Sequence, residues 1–203
     1  MRALLPLALL GVAAVAHADR LITIPTGTKI QMNTWRFEGL WEQSRNRSSQ
    51  YYLGTGITNS FEVELTGEKW EGRRIRNSFD FAYNYVPPII GFGPGISVGI
   101  KDVMGVTRDG RRYYIAITNK EGFADTVHGA VPAEFTFGAY FGSVNRPFVG
   151  AMLPFTDYVR LMVEFNGLRI NAGAEIRVNK EFSIRGVVDR KDVMIGAQLT
   201  LRF

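Results

Sequence analysis

The sequence predicts an all-β protein: a transmembrane antiparallel up-and-down β-barrel of about twelve strands, behind a cleaved signal peptide. Three observations carry this. The last eleven residues alternate strictly, with Val193, Ile195, Ala197, Leu199, Leu201 and Phe203 on one face and Met194, Gly196, Gln198, Thr200 and Arg202 on the other. That is the period of a strand with one apolar and one polar side. The same alternation recurs through the chain in a hairpin rhythm, with no sustained helical periodicity. The first eighteen residues have the form of an export leader. Arg2 gives the positive start, Leu4 to Val15 a short apolar run, and Ala16-His17-Ala18 a small-residue cleavage site. That run is well short of the ~20 residues a spanning helix needs, so residues 1–18 are assigned to the leader and 19–203 to the barrel. A chain without such a helix spans lipid only as a closed barrel, because lipid offers no water to unpaired backbone groups.

The elements follow in order. Leu21-Ile-Thr-Ile24 and Pro25-Thr-Gly27 form an extended lead-in. The first strand runs from Lys29 to Glu42, with Trp35, Phe37 and Trp41 opposite Thr34, Arg36, Glu38 and Leu40, and Ser44 to Ser49 is a polar loop. Gln50 to Ile57 is a glycine-rich strand, Phe61 to Trp70 an alternating one, and Arg74 to Tyr85 sets Phe79, Phe81, Tyr83 and Tyr85 against Arg76, Ser78, Asp80 and Asn84. Three prolines make Val86 to Gly95 a connection. Ile96 to Met104 is the next strand, and Asp109-Gly110 is a hairpin signal before Arg112 to Asn119. Lys120 to Val131 is a second long connection, followed by strands at Pro132–Phe141, Pro147–Leu153, Tyr158–Phe165, Leu168–Val178, Phe182–Asp189 and Val193–Phe203.

Alternation alone leaves open which face meets lipid, since a soluble lipocalin-like barrel has the same period with its apolar face inside. The aromatic side chains favour strand ends (Trp41, Trp70, Tyr83, Tyr85, Tyr113, Tyr158, Phe165, Phe203), with Ala172, Ala174, Val163 and Leu199 between them. This is the layout of interfacial girdles around an apolar band. The polar face carries Arg36, Glu38, Glu62, Glu64, Arg76, Asp80, Lys101, Glu134, Arg160, Glu164, Arg169, Glu175, Arg177 and Arg185, with small neighbours at Ala82, Gly99, Ala116, Gly138 and Gly173 that leave room in a narrow tube. These charges are expected to line the lumen.

Chemistry is largely excluded. There is no cysteine, and once His17 leaves with the leader His128 is the only histidine. Neither a hydrolase triad nor a transition-metal cluster is expected, and no cofactor. Without Arg2 the chain has 23 basic and 19 acidic side chains, a mild excess in no cluster, so nucleic acid is not an expected partner.

Gly196, Leu199, Leu201 and the terminal Phe203 resemble the insertion signal that the outer-membrane barrel assembly machinery reads. This implies a bacterial outer-membrane location, with membrane lipid and that machinery as partners. With Phe203 at the periplasmic rim, the two longest connections, Val86–Gly95 and Lys120–Val131, face the periplasm. Gly93-Pro-Gly-Ile-Ser-Val-Gly-Ile-Lys-Asp-Val-Met-Gly105 resembles a recurring segment of YjbH-like barrels. So do Pro154 to Phe203, with its Val-Glu-Phe-Asn-Gly167 turn and Asp189–Leu201 hairpin, and the lead-in Ile24-Pro-Thr-Gly27. The resemblance implies an association with exopolysaccharide secretion and carries over no functional residue. The expected function is therefore a non-enzymatic narrow pore or export-associated barrel, with a polysaccharide partner if the resemblance extends to role. The alternatives are a barrel shut by lumenal ion pairs that docks a periplasmic partner, and a soluble ligand-binding barrel.

Overall fold

The computed structural model describes residues 20–43, 48–69, 73–122, 132–189 and 192–203. The leader 1–18, most of the Ser44–Ser49 loop, Trp70 with the Glu71–Gly72 turn, His128 with most of the Lys120–Val131 connection, and the Arg190–Lys191 turn lie outside these residues.

Twelve strands form one closed antiparallel barrel in which each pairs with its sequence neighbours and β1 with β12. They are β1 (Thr34–Glu42), β2 (Ser49–Gly56), β3 (Phe61–Lys69), β4 (Arg76–Val86), β5 (Gly95–Lys101) and β6 (Arg112–Glu121), then β7 (Ala133–Gly142), β8 (Arg146–Pro154), β9 (Val159–Phe165), β10 (Ile170–Arg177), β11 (Phe182–Asp189) and β12 (Asp192–Arg202). Closure leaves no open sheet edge, the requirement for a β-structure in lipid. β1 starts and β12 ends at the same mouth, called the inner end. Around the closing seam Trp35 faces Leu201 and Trp41 faces Ile195.

Side chains sort as in a membrane barrel. Trp35, Trp41, Tyr83, Tyr113, Phe141, Val163, Ile195 and Leu199 project outward and are exposed, while the interior holds the charges. This is the inverse of a lipocalin-like soluble barrel. Aromatic rims flank the belt, although the separation is incomplete: Phe37 and Phe137 also project outward from the middle of β1 and β7.

Most strand boundaries shift by one or two residues from the sequence-based expectation, and four of the shifts have a local reason. β1 begins at Thr34 and not at Lys29, because Ile30 donates its N–H to the Glu62 carboxylate (2.7 Å) and Asn33 turns the chain at a φ of 59°. Asparagine tolerates that left-handed conformation. β5 stops at Lys101 because Asp102 sits at a φ of 53° and its carboxylate accepts the N–H groups of Val106 and Thr107. β10 begins at Ile170 because the Asn166 side chain accepts from the N–H groups of Leu168 and Arg169, holding a turn. β6 extends through Lys120 and Glu121, where Lys120 pairs with Glu134 of β7.

Candidate functional site

The lumen is occupied by the chain's own lead-in. Residues 20–31 leave the wall at Asn33, enter from the inner end, rise to Thr23 near the outer mouth and fold back. The N–H of Leu21 donates to the Ile24 carbonyl (3.0 Å) and Arg20 bridges to Pro25, so the tip is a tight hairpin. Arg20, Leu21, Ile22, Ile24, Thr26 and Ile30 are all buried. Nothing in the local sequence signals this, because an extended stretch rich in Ile and Thr reads equally as a strand.

Two kinds of wall hold the segment. Its polar side meets acids and hydroxyls. The N–H groups of Ile22, Thr23 and Ile24 all donate to Glu164 of β9, at 2.9–3.2 Å, together with the Thr23 hydroxyl (2.5 Å). Asn171 of β10 donates to the same carboxylate at 2.8 Å. Lower down, the Gly27 N–H donates to Thr118 Oγ1 (2.6 Å), Asn84 donates to the Gly27 carbonyl and the Ser97 hydroxyl to that of Thr26 (2.6 Å). A Cβ on Gly27 would lie 2.5 Å from the Gly95 carbonyl oxygen, so glycine alone allows this approach to β5. Backbone groups taken from water need such partners, since each one left bare costs about 1–3 kcal/mol.

The apolar side of the segment meets an apolar patch that the sequence reading did not anticipate. Leu21, Ile22 and Ile24 belong to one buried cluster with Tyr114, Tyr140, Phe148, Met152 and Met162. A Cβ on Gly150 would lie 2.5 Å from Leu21 Cδ2 and 2.8 Å from Ile24 Cδ1. The small lumenal residues therefore make room for more than charge: the Gly138 site is filled by the Phe148 ring and the Gly150 site by the inserted segment.

Arg20 joins the charges into a chain. Arg36 pairs with Glu64 (2.7 Å), Glu64 with Arg20 (2.6 Å), Arg20 with Glu38 (2.5 Å), Glu38 with Arg185 (3.1 Å) and Arg185 with Glu175 (2.7 Å), and Glu175 also pairs with Arg160. The Arg20 guanidinium also lies 3.3 Å over the centre of the Tyr52 ring. The linked groups are buried, so removing one member leaves a partner's charge uncompensated at a cost of ~3–5 kcal/mol.

Of the charges expected to line the lumen, Arg36, Glu38, Glu62, Glu64, Asp80, Glu134, Arg160, Glu164, Glu175 and Arg185 are buried inside, and Lys101 is partly buried beside Asp80 at 3.6 Å. Lys120, placed in a connection by the sequence, joins them and pairs with Glu134 at 3.1 Å. Three of the expected charges lie at the rims. Arg76 is exposed at the outer mouth, where it donates to the Val106 carbonyl. Arg169 sits in the β9–β10 turn, not mid-strand, and pairs with Asp189 (2.9 Å). Arg177 ends β10 at the inner mouth. At the closing seam Gly196 faces Leu40 of β1, Leu199 and Leu201 look outward, and the Phe203 N–H donates to the Asn33 carbonyl (3.0 Å) with its ring exposed.

Above the inserted hairpin an outer vestibule opens to solvent, lined in part by Tyr52, Asp80, Lys101, Arg112, Arg146 and Thr23. A narrower recess below it also touches Asp80 and Lys101 and reaches Arg20 and Glu64. Among the described residues no three His, Cys, Asp or Glu side chains converge as metal ligands.

No protein-family model and no curated protein sequence matches this chain. Solved structures do. The outer membrane protein Omp33 of Acinetobacter baumannii superposes with a TM-score of 0.56 at 10% identity, over 84% of this chain and 98% of its own. The KdgM porin superposes at 0.53 and 9% identity, over 84% of this chain and 99% of its own, and a second KdgM structure is a complex with disordered oligogalacturonate. At these identities the likeness is one of fold: this chain has the fold of small outer-membrane barrels.

Proposed function

We propose that this chain is a small, non-catalytic outer-membrane pore, closed at rest by its residues 20–31 and passing small polar solutes when that segment moves. The observation that carries the reading is the inserted hairpin itself. It fills a lumen otherwise lined by a nearly balanced set of charges, through hydrogen bonds and side-chain packing, and joins the wall at Asn33. A segment held this way can leave without unpairing any strand of the barrel. The fold shared with structures described as porins, the outward aromatic belt and the export leader support an outer-membrane location. The terminal Gly196, Leu199, Leu201 and Phe203 support recognition by the assembly machinery.

The resemblance to YjbH-like barrels suggests a finer version, in which the solute path serves exopolysaccharide. It rests on that resemblance alone, and the seated hairpin occupies the lumen that a polymer would have to thread. A second reading, a scaffold that docks a periplasmic partner, is favoured by one observation. In the β4–β5 connection Ile89, Ile90 and Phe92 are exposed at the inner end, Phe92 to 91%.

The absence of cysteine makes the test clean. Ile24→Cys with Gly150→Cys sets two thiols on facing positions, since Ile24 Cδ1 would lie 2.8 Å from a Cβ at 150. In planar bilayers the oxidised protein should show no openings and the reduced protein should show them. Equal conductance in both states would end the gated-pore reading, and silence in both would favour the scaffold.

A further inference from the structure

We infer that Glu38, Glu64 and Tyr52 form a binding site for guanidinium-type cations, occupied at rest by the chain's own Arg20, and that a guanidino solute arriving from the outer mouth competes for it. The inference rests on the reading of residues 20–31 as a displaceable plug and names the solute class for the same lumen.

The site has the parts such a cation requires. Arg20 Nη2 lies 2.5 Å from Glu38 Oε2, and Arg20 Nη1 lies 2.6 Å from both carboxylate oxygens of Glu64, so two acids from different strands grip one planar fork. The Tyr52 ring covers its face at 3.3 Å. In-plane carboxylates with an aromatic face above is the arrangement that suits guanidinium over a compact ammonium. The wall has its own compensation without Arg20: Arg185 stays on Glu38 Oε1 and Arg36 on Glu64 Oε2. When Arg20 leaves, Glu38 Oε2 and Glu64 Oε1 lose a donor, while Arg36, Arg185 and Arg160 still balance Glu64, Glu38 and Glu175. What remains is a pair of carboxylate acceptors beside an aromatic face, with the geometry of a guanidinium and not an excess of negative charge.

The site is also reachable. The outer vestibule and the smaller cavity beneath it share Asp80 and Lys101, and the lower cavity touches both Arg20 and Glu64. A small solute in the vestibule meets Thr23 at the hairpin tip first, with Arg20 beneath it in the recess that shares Asp80 and Lys101. Every guanidinium that replaces Arg20 removes an ionic anchor of the plug, so occupancy and opening are coupled.

The experiment uses the mature chain with Arg20→Ala, folded in detergent, and follows the melting of its heat-modifiable gel band in low-millimolar guanidinium chloride or equal sodium chloride. The variant should melt below the wild type. Guanidinium should recover at least half of the loss, sodium should recover none, and the recovery should vanish when Glu38→Gln and Glu64→Gln are added. If Arg20→Ala does not fold unaided, the yield of folded band on refolding with either salt is read by the same criteria. Equal effects of the two salts, or recovery that survives loss of both acids, would overturn the site. A second arm adds guanidinium to the outer side of wild-type channels in bilayers and should raise their opening frequency several-fold over sodium. Rescue in the first arm without openings in the second would retain the site and count against the pore reading instead.

Discussion

Glu164 offers the sharpest perturbation of the plug. Its two oxygens accept from three consecutive backbone N–H groups, Ile22, Thr23 and Ile24, and from the Thr23 hydroxyl and Asn171. Glu164→Leu removes every acceptor while keeping an apolar body of similar reach. If the hairpin stayed seated, three buried N–H groups would be bare at about 1–3 kcal/mol each. If it leaves, water satisfies them, so the penalty falls on the seated state and not on the barrel. Even ~3 kcal/mol shifts a two-state equilibrium about a hundredfold. Glu164→Gln keeps one carbonyl oxygen and should shift it by about tenfold, ~1–2 kcal/mol. Open probability in planar bilayers reads the shift directly, and an Ile24→Cys probe, fully buried while the hairpin is seated, reads its exposure by labelling with a membrane-impermeant maleimide. Strand pairing, monitored by heat-modifiable migration, should be unchanged. A Glu164→Leu protein with wild-type closure and an unlabelled Ile24→Cys would refute the view that these hydrogen bonds keep the segment in place.

Three further expectations are independent of that carboxylate. Gly150→Leu places atoms where Leu21 and Ile24 now pack; overpacking of this kind costs ~1–3 kcal/mol and should raise channel opening without altering any charge, measured in the same bilayer assay. Val163→Arg, outward and near the middle of β9, should destabilise by ~2–4 kcal/mol, and Leu199→Arg, nearer the inner rim, by roughly 1–2 kcal/mol; urea unfolding in lipid vesicles that gave equal values would contradict the depth assignment. Burial alone would raise the Asp102 carboxyl, but hydrogen bonds from Thr107, Ser78 and Val106 together hold it below its ordinary value of 3.8. Its folded form is thus the stronger acid, and its stabilisation is complete above that ordinary value and lost as pH falls through the folded one. The melting difference between wild type and Asp102→Asn should stay level from about pH 7 to about 5 and shrink in more acid buffer.

How far each element was legible tracks how local its cause is. β11 runs over Phe182–Asp189 as its alternation and flanking turns indicate, and β9 differs by one residue. The boundaries that moved did so where a side chain competes with the ladder for backbone groups, as Asp102 and Asn166 do. The charged rows were legible as rows; their pairing was not, because Arg185 reaches Glu38 147 positions away across the closing seam. The apolar lumenal patch was hidden for a different reason. Tyr140, Phe148 and Met162 occupy inward positions of strands whose outward positions are also apolar, so the contrast between faces is weak there.

Period-two patterning and the placing of aromatic residues are properties of short stretches, and they suffice for a closed barrel of about twelve strands with its charges inside. What fills that barrel is a different matter. Residues 20–31 carry no pattern that separates a thirteenth strand from a lumenal hairpin, and their partners on β9 lie 140 to 142 positions away. Only closure of the sheet brings Glu164, Glu64 and Glu38 around one narrow space, and only there does the hairpin find acceptors for both the Arg20 charge and its N–H groups.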